Sequence, residues 1–203
     1  MEQRIGETDL VLILDGGGGD RHAAELAAAV RELSAGLAAE RAATRLTLAV
    51  PDDPPRFLEK RQRPDRVRPV SGADLKTGGV ALFDTIGEAA GMMPDAQKAG
   101  RPRRRPLPDE HAAQAHKTVF VIVSGGADTA SARYDAAETA ELIAGFSAFR
   151  NWHFSYIGRG AHAQKLAAAL GLSADAASNA AQKTALHPGG QLYDLSAIIG
   201  HYL

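Results

Sequence analysis

The sequence has no cysteine, few aromatic residues and no long apolar run. Without cysteine there can be no disulfide framework, no thiolate nucleophile and no Cys-based zinc site. The longest run of large aliphatic residues, Leu10–Leu14, is far too short to cross a bilayer. The start, MEQRIGETD, is charged within its first four residues and lacks the apolar stretch of a secretory signal. These features predict a cytoplasmic protein without a membrane partner.

The composition indicates one globular domain over residues 1–203. A chain of 203 residues that is 45% hydrophobic can bury one sizeable core and is short for two. The net charge of −1 hides an uneven distribution, because residues 56–68 carry +4 and residues 98–105 carry +5, which leaves −10 elsewhere. We therefore predict an acidic body with long basic, proline-containing loops at about 51–70 and 94–116.

Apolar strands alternate with amphipathic helices along the chain. This order predicts an α/β fold, a three-layer, doubly wound, mostly parallel sheet of Rossmann-like type with helices on both faces. The predicted strands are Asp9–Leu14, Leu46–Val50, Lys117–Val123, Trp152–Ile157, a short one near Arg66–Val70 and a last one at Leu192–Leu195. The predicted helices are Asp20–Glu40, a helix opened by Gly78 and Gly79, Tyr134–Phe149, Ala161–Leu170 and Ala197–Leu203.

Glycine-rich turns follow two of these strands, at the end of the sheet where ligands bind in such folds. They are DGGGGD (Asp15–Asp20) and SGGADTAS (Ser124–Ser131), and a third turn, KTGGVALFD (Lys76–Asp84), precedes a helix. The first turn has Arg21 at the third glycine position of a dinucleotide fingerprint and lacks the G-K-[ST] ending of a P-loop. It also has Gly17 where a haloacid-dehalogenase-type phosphatase carries its second acid.

The three turns together resemble those of the von Willebrand factor A (VWA) domain family. TDLVLILDGGGGD, TGGVALFDTIGEA and VFVIVSGGADTAS stand, in order, where that family has D-x-S-x-S, G-G-T-A-L-[FY]-D-A-I and T-D-G. NWHFSYIGRGAHAQKLAAALGL is similar to a variant found in compact bacterial members. The resemblance covers about Thr8 to Leu172 and implies a VWA-like domain with its binding face at the glycine turns.

The resemblance also defines a metal-ion-dependent adhesion site, which this chain has largely lost. The family holds Mg²⁺ through the D-x-S-x-S oxygens, the turn threonine and the T-D-G aspartate. Matched by position, Asp15 is the only retained ligand side chain, because Gly17, Gly19, Val80 and Gly125 replace the others. A hard cation needs several oxygen ligands, so we expect a degenerate site with no magnesium and no other cofactor.

The function that the resemblance implies is a non-enzymatic, metal-independent module that binds a protein partner. One alternative is an enzyme or a binder of small anions or nucleotides, with the amides of Gly16, Gly17, Gly18 and Gly19 forming an anion nest. A second alternative is residual Mg-dependent ligand binding through Asp15. No G-x-S-x-G serine and no metal-type histidine spacing supports a catalytic set.

Several polar residues near the turns have simpler structural interpretations. We expect Asp15 to accept hydrogen bonds from amides at the start of the following helix, and Asp20 to cap that helix. Asp84 falls in the first turn of its own helix, which favours a structural role. We interpret Asp128 and Ser131 as exposed turn residues, with replacement metal ligands as the alternative.

The second basic loop is the other candidate contact surface. Prolines beside Arg103, Arg104 and Arg105 favour an extended chain that keeps the arginines solvated, which suits an acidic protein partner. Nucleic acid is the less favoured partner, because the VWA layout places the two basic loops at opposite ends of the sheet and no aromatic residue is interleaved for base stacking.

Overall fold

The computed structural model describes residues 7–39, 43–93, 116–125, 128–149, 151–158 and 160–172. Within these ranges the fold is α/β, with a mixed, mostly parallel sheet of five strands and four α-helices. The strands are β1 (Glu7–Leu14), β2 (Thr44–Val50), β3 (Arg56–Gln62), β4 (His116–Val123) and β5 (Trp152–Ile157). The helices are α1 (Asp20–Ala39), α2 (Leu82–Met92), α3 (Ala136–Phe149) and α4 (Gly160–Ala169).

The strand order in the sheet is β3-β2-β1-β4-β5. β1 pairs in parallel with β2 on one side and with β4 on the other, and β4 pairs in parallel with β5. Among the five described strands, β3 is the one that runs antiparallel, against β2. Four of the six predicted strands, Asp9–Leu14, Leu46–Val50, Lys117–Val123 and Trp152–Ile157, form the parallel part of the sheet. Their apolar residues are almost all buried, as in parallel sheets covered on both faces.

β3 corrects the prediction of a basic loop at 51–70. The strand Arg56–Gln62 lies inside that segment, and the short strand predicted near Arg66–Val70 is replaced by a 3-10 turn at Pro64–Arg66 followed by irregular chain. The prediction failed because β3 is half-buried along almost its whole length and its pairing with β2 is broken by register shifts. Such a strand lacks the apolar alternation on which the sequence argument depends.

The helices match their sequence signals closely. The apolar stripe of α2, formed by Leu82, Ile86, Ala90 and the following Met93, is fully buried. Gly171 ends α4 in the left-handed region with φ 68°, and the amides of Gly171 and Leu172 bond back to Ala168 and Ala167. This is the left-handed cap that the sequence predicted.

The buried apolar residues form two separate groups, and successive residues of β1 alternate between them. Leu10, Leu12 and Leu14 pack with the buried stripe of α1. Val11 and Ile13 pack with buried residues of α2, α3 and α4. Because successive side chains of a strand point to opposite sides, β1 contributes to both cores and lies in the middle of the molecule.

Some sequence predictions fall outside the described residues. These are the loop over residues 94–115 with its three arginines, the last strand at Leu192–Leu195 and the helix at Ala197–Leu203. His116, which the sequence placed at the end of that loop, begins β4. None of the helices described is long and apolar enough to span a membrane.

Candidate functional site

The candidate site lies where β1 and β4 end side by side. Asp15 follows β1, and Ser124 and Gly125 follow β4, whose last residue, Val123, is paired with Leu14. β1 lies between β2 and β4 in the sheet order β3-β2-β1-β4-β5. The chain adds β2 and β3 on one side of β1 and later adds β4 and β5 on the other side, so the strand order reverses at β1. Open α/β sheets bind ligands at such a reversal of strand order, beyond the carboxyl ends of the strands.

Asp15 is buried at this point, with 5% of its surface exposed, and its carboxylate is held by protein groups. One oxygen accepts the Gly17 amide at 2.8 Å. The other accepts the Ser124 hydroxyl at 2.9 Å and the Gly125 amide at 3.3 Å. Asp15 was expected to accept from amides at the start of α1. It instead ties the turn after β1 to the turn after β4.

The positions matched to the other metal ligands of the VWA family carry no side-chain oxygen, and two of them, Gly17 and Gly125, donate their backbone amides to Asp15. Gly17, Gly19 and Gly125 are exposed, and Val80 is half-buried. Ser124, which the sequence analysis did not single out, uses its hydroxyl to donate to Asp15. Among the residues that the structure describes, no group of three or more histidine, aspartate or glutamate side chains is placed to hold a metal ion.

The backbone of the first turn differs from one that would carry the family's serines. A Cβ atom added to Gly17 would lie 2.9 Å from Asp15 Oδ1, and Gly19 has φ +97°, where an L side chain is strained. Gly125, by contrast, has open space around its missing Cβ. The first turn therefore favours glycine at two positions. At Gly17 a side chain would crowd Asp15, and at Gly19 the backbone has a positive φ.

The geometry of the first turn disfavours the anion nest predicted at Gly16–Gly19. The amide of Gly17 points inward to Asp15, and Gly16 packs so closely that an added Cβ would lie 2.3 Å from the Leu75 carbonyl oxygen. A buried aspartate beneath the turn places an acid next to any bound anion. The inward amide of Gly17, the tight packing of Gly16 and the nearby acid make the Gly16–Gly19 turn poorly suited to bind phosphate.

The loop after β4 caps the start of α2, which is the main feature that sequence reasoning missed. Asp128 accepts the Phe83 amide at 3.0 Å, and the Ser131 hydroxyl accepts the Asp84 amide at 3.1 Å. Both residues are half-buried, so the prediction of exposed turn residues is wrong for them. No local signal could have revealed this cap, because 45 residues separate Asp128 from the amide it holds.

Asp84 in α2 in turn accepts hydrogen bonds from the loop after β4. Its carboxylate accepts the backbone amides of Ala132, Arg133 and Tyr134, at 2.9 to 3.1 Å. Burial raises the pKa of Asp84, but these amides and the Arg133 guanidinium outweigh that effect and hold the pKa below its ordinary value of 3.8. The geometry fits the structural role expected for Asp84.

The basic segment 56–68 is largely neutralised by its own neighbours. Arg56 pairs with Asp52 at 2.8 Å, and Arg63 pairs with Asp65 at 3.1 Å. Arg68 lies 3.3 Å from Asp74, with Glu59 at 3.9 Å. At the start of α1, Asp20 pairs with Lys76 at 2.8 Å and does not show the backbone cap that we expected.

A second polar cluster lies at the opposite, amino end of the sheet. Asp9 is completely buried on β1, and its two oxygens bind Arg61 of β3 at 2.9 Å and His116 of β4 at 2.7 Å. Burial raises the pKa of Asp9, and the hydrogen bonds from His116 and Arg61 outweigh it, so the pKa lies below 3.8. The sequence gives little signal for this cluster, because Asp9 follows two other polar residues at the start of β1 and its partners lie far away along the chain.

Comparisons with known proteins show the fold class. No protein-family model matches the chain, and no curated protein matches it. Among solved structures, the chain is similar to proximal thread matrix protein 1 from the mussel byssus, with 9% sequence identity and a TM-score of 0.51. The match covers 84% of this chain and 42% of that one, so this chain spans less than half of the byssus protein. At this identity the likeness supports an α/β fold and nothing about activity.

Proposed function

We propose that this chain is a VWA-like protein–protein interaction module that works without a metal ion. The binding face would be the end of the sheet that carries Gly17, Gly19, Val80, Gly125 and the buried Asp15. The observation that carries the proposal is the state of the Asp15 carboxylate, whose two oxygens accept three hydrogen bonds from within the chain. A metal ion at Asp15 would have to displace these donors and find its other ligands elsewhere.

The proposed architecture behind this face is a three-layer, doubly wound sheet with helices on both of its faces. The two groups of buried residues support it, because alternate residues of β1 pack with α1 and with α2, α3 and α4. The strand order follows the first five positions of the Rossmann order 3-2-1-4-5-6, with the difference that β3 runs antiparallel. In this arrangement all turns of the binding face lie at one end of the molecule.

The proposed binding face is rigid, and the contacts between the loop after β4 and the start of α2 support this property. The loop after β4 and the start of α2 hold each other through Asp128, Ser131 and Asp84, with further bonds between Thr129 and Val80. A preformed surface loses little conformational entropy on binding, which favours recognition of a folded partner. The proposed module is non-enzymatic, and its binding face is formed by backbone turns whose described polar side chains, Asp15, Asp84, Asp128 and Ser131, are engaged with other groups of the chain.

The test is capture of partners from the native host by the wild-type chain and two glycine-to-arginine variants. Gly125→Arg places a large cation on the proposed face, where the structure has open space. Gly36→Arg makes the same change at an exposed, equally open position on α1 and is the matched control. We expect a partner that is retained equally in Mg²⁺ and in EDTA, lost with Gly125→Arg and kept with Gly36→Arg. A partner lost in EDTA, or one that Gly125→Arg still binds, contradicts the proposal.

A further inference from the structure

The carboxylate of Asp9 joins three strands at the amino end of the sheet. Asp9 lies on β1, and its side chain is 1% exposed. One of its oxygens accepts a hydrogen bond from Nε of Arg61 on β3 at 2.9 Å, and the other accepts one from Nε2 of His116 on β4 at 2.7 Å. A single buried carboxylate therefore holds one side chain from each of two other strands.

Arg61 is the permanent partner of this carboxylate, because arginine is not deprotonated in proteins. Its backbone has φ 46°, in the left-handed region that residues other than glycine seldom adopt. The Arg61 amide donates to Thr47 Oγ1 at 3.0 Å, so two polar contacts hold Arg61 in this conformation. Arg61 therefore fixes the Asp9 carboxylate in place whatever the pH near neutrality.

His116 is the partner whose charge changes near neutral pH, because an ordinary histidine titrates at about 6.5. Its side chain is 17% exposed, so its ring can exchange protons with solvent. Burial raises the pKa of Asp9, but the hydrogen bonds from His116 and Arg61 outweigh burial and hold that pKa below 3.8. Asp9 and Arg61 thus stay charged across neutral pH, and within this cluster His116 is the residue that gains or loses a proton.

The geometry around Asp9 favours the protonated form of His116. Nε2 of His116 touches one carboxylate oxygen directly, whereas Arg61 binds the other oxygen. Coulomb energy falls with distance, so the attraction of His116 to the oxygen that it touches exceeds its repulsion by Arg61 across the carboxylate. The effect is reciprocal, because a charged His116 that stabilises the Asp9 carboxylate is stabilised by that carboxylate to the same extent.

The other charged groups near His116 change this balance little. Glu7, the register partner of His116 on β1, lies on the same side of the sheet as Asp9 and is paired with Arg45 at 2.8 Å. Lys117 follows His116 along β4, so its side chain points to the opposite side of the sheet. The Asp9 carboxylate, which is in direct contact with the His116 ring, therefore dominates over these charges.

We propose that Asp9, Arg61 and His116 form a pH-sensitive latch, in which Arg61 fixes the buried carboxylate and protonated His116 ties the start of β4 to it. When His116 loses its proton, its ionic attraction to Asp9 is lost and at most a hydrogen bond from a neutral ring remains. Because the folded chain favours the protonated form, the stabilisation is fully present below about pH 6.5 and is lost as the pH rises through the titration of folded His116. The latch lies at the opposite end of the sheet from the proposed interaction face and does not rest on that function.

The proton on His116 can be followed in the full-length, ¹⁵N-labelled protein by NMR titration of the histidine ring nitrogens. His116→Gln removes one set of signals and so assigns them. We expect His116 to titrate about one pH unit above an ordinary histidine, as a carboxylate in contact implies. Asp9→Asn should lower the midpoint of this titration by at least about one pH unit. His162, which is exposed on α4, is the control whose signals should not respond to Asp9→Asn.

The effect of the latch on the fold is measured by thermal unfolding between pH 5.5 and pH 9. His116→Gln should melt below the wild type at pH 5.5, because the ion pair with Asp9 is lost. This gap in melting temperature should close as the pH rises, because the wild-type histidine then loses its charge as well. His162→Gln makes the same change at an exposed position on α4 and should show no gap that depends on pH.

The proposal is overturned by any of three results. One is a wild-type His116 that titrates at or below the pH of an ordinary histidine. The second is a titration midpoint that Asp9→Asn leaves unchanged. The third is a gap in melting temperature between the wild type and His116→Gln that is the same at pH 5.5 and at pH 9. Should Asp9→Asn fail to fold, the first and third measurements still decide, because neither uses that variant.

Discussion

Asp15 and Asp84 are buried carboxylates at the same end of the sheet, and each connects the loop after β4 to another segment. Asp15 holds Ser124 and Gly125 against the turn after β1, and Asp84 holds residues 132–134 against α2. Backbone amides supply most of these donors. At Asp84 the accepted amides stabilise the charged carboxylate and lower its pKa, so this contact links the loop geometry to pH.

The first prediction concerns the pH dependence of stability at Asp84. Its folded pKa is lowered, so its contribution is fully present above the ordinary value of 3.8 and is lost as the pH falls through the folded pKa. We expect Asp84→Asn to reduce the free energy of unfolding by about 2 kcal/mol at pH 7, because charged hydrogen bonds are lost. Urea unfolding between pH 7 and pH 3 should show this difference shrinking below pH 4.

Glu141→Gln is the control for this experiment, since Glu141 is exposed on α3. Its effect on the free energy of unfolding should stay within about 0.5 kcal/mol across the same pH range. A difference between Asp84→Asn and wild type that is constant down to pH 3 would show that the Asp84 carboxylate is not stabilised by its amides.

At the scale of the element, the turn after β1 depends on glycine for packing as well as for conformation. Gly16 lies against the backbone of Leu75, and Gly19 adopts a positive φ. Gly125, in the neighbouring turn, meets neither restriction. The two turns therefore differ in how much change they tolerate.

The second prediction compares alanine substitutions in these two turns. Gly16→Ala should reduce the free energy of unfolding by about 2 kcal/mol, because its Cβ would overlap a backbone carbonyl that cannot move freely. Gly125→Ala should change it by less than about 0.5 kcal/mol. Thermal melting of both variants measures the difference, and equal melting temperatures would mean that the first turn adapts.

The third prediction concerns the cap that the loop after β4 supplies to α2. Asp128→Ala removes the acceptor for the Phe83 amide and should cost about 1 kcal/mol, as for other helix caps. Glu141→Ala again serves as the exposed acidic control. Denaturant unfolding measures both variants, and an Asp128→Ala protein as stable as the control would mean that water replaces this cap.

The strands, the helices and the polar contacts differ in how well the sequence predicts them. The central parallel strands were predictable because they are near-continuous apolar runs, and α2 was predictable because its apolar residues recur at helical spacing. β3 was missed because it is a half-buried strand whose residues are mostly charged or polar. The cap from Asp128 was missed because its partner lies 45 residues away, and the cluster at Asp9 because its partners lie 52 and 107 residues away. Pairing at such distances leaves no local pattern.

At the scale of the whole molecule, the two ends of the sheet have different chemistry. The carboxyl end presents glycine turns above one aspartate with its hydrogen bonds satisfied. The amino end holds the buried Asp9 carboxylate with its partners Arg61 and His116, and the stacked rings of Phe120, Phe146 and Trp152.

The fourth prediction tests the proposed independence from metal by isothermal titration of the wild-type chain with Mg²⁺ and then Mn²⁺. We predict no saturable binding in the low millimolar range, because a metal at Asp15 would have to displace the donors from Gly17, Ser124 and Gly125. Asp15→Asn should give the same flat titration. Millimolar or tighter binding in the wild type that Asp15→Asn abolishes would contradict the account and restore Asp15 as a metal ligand.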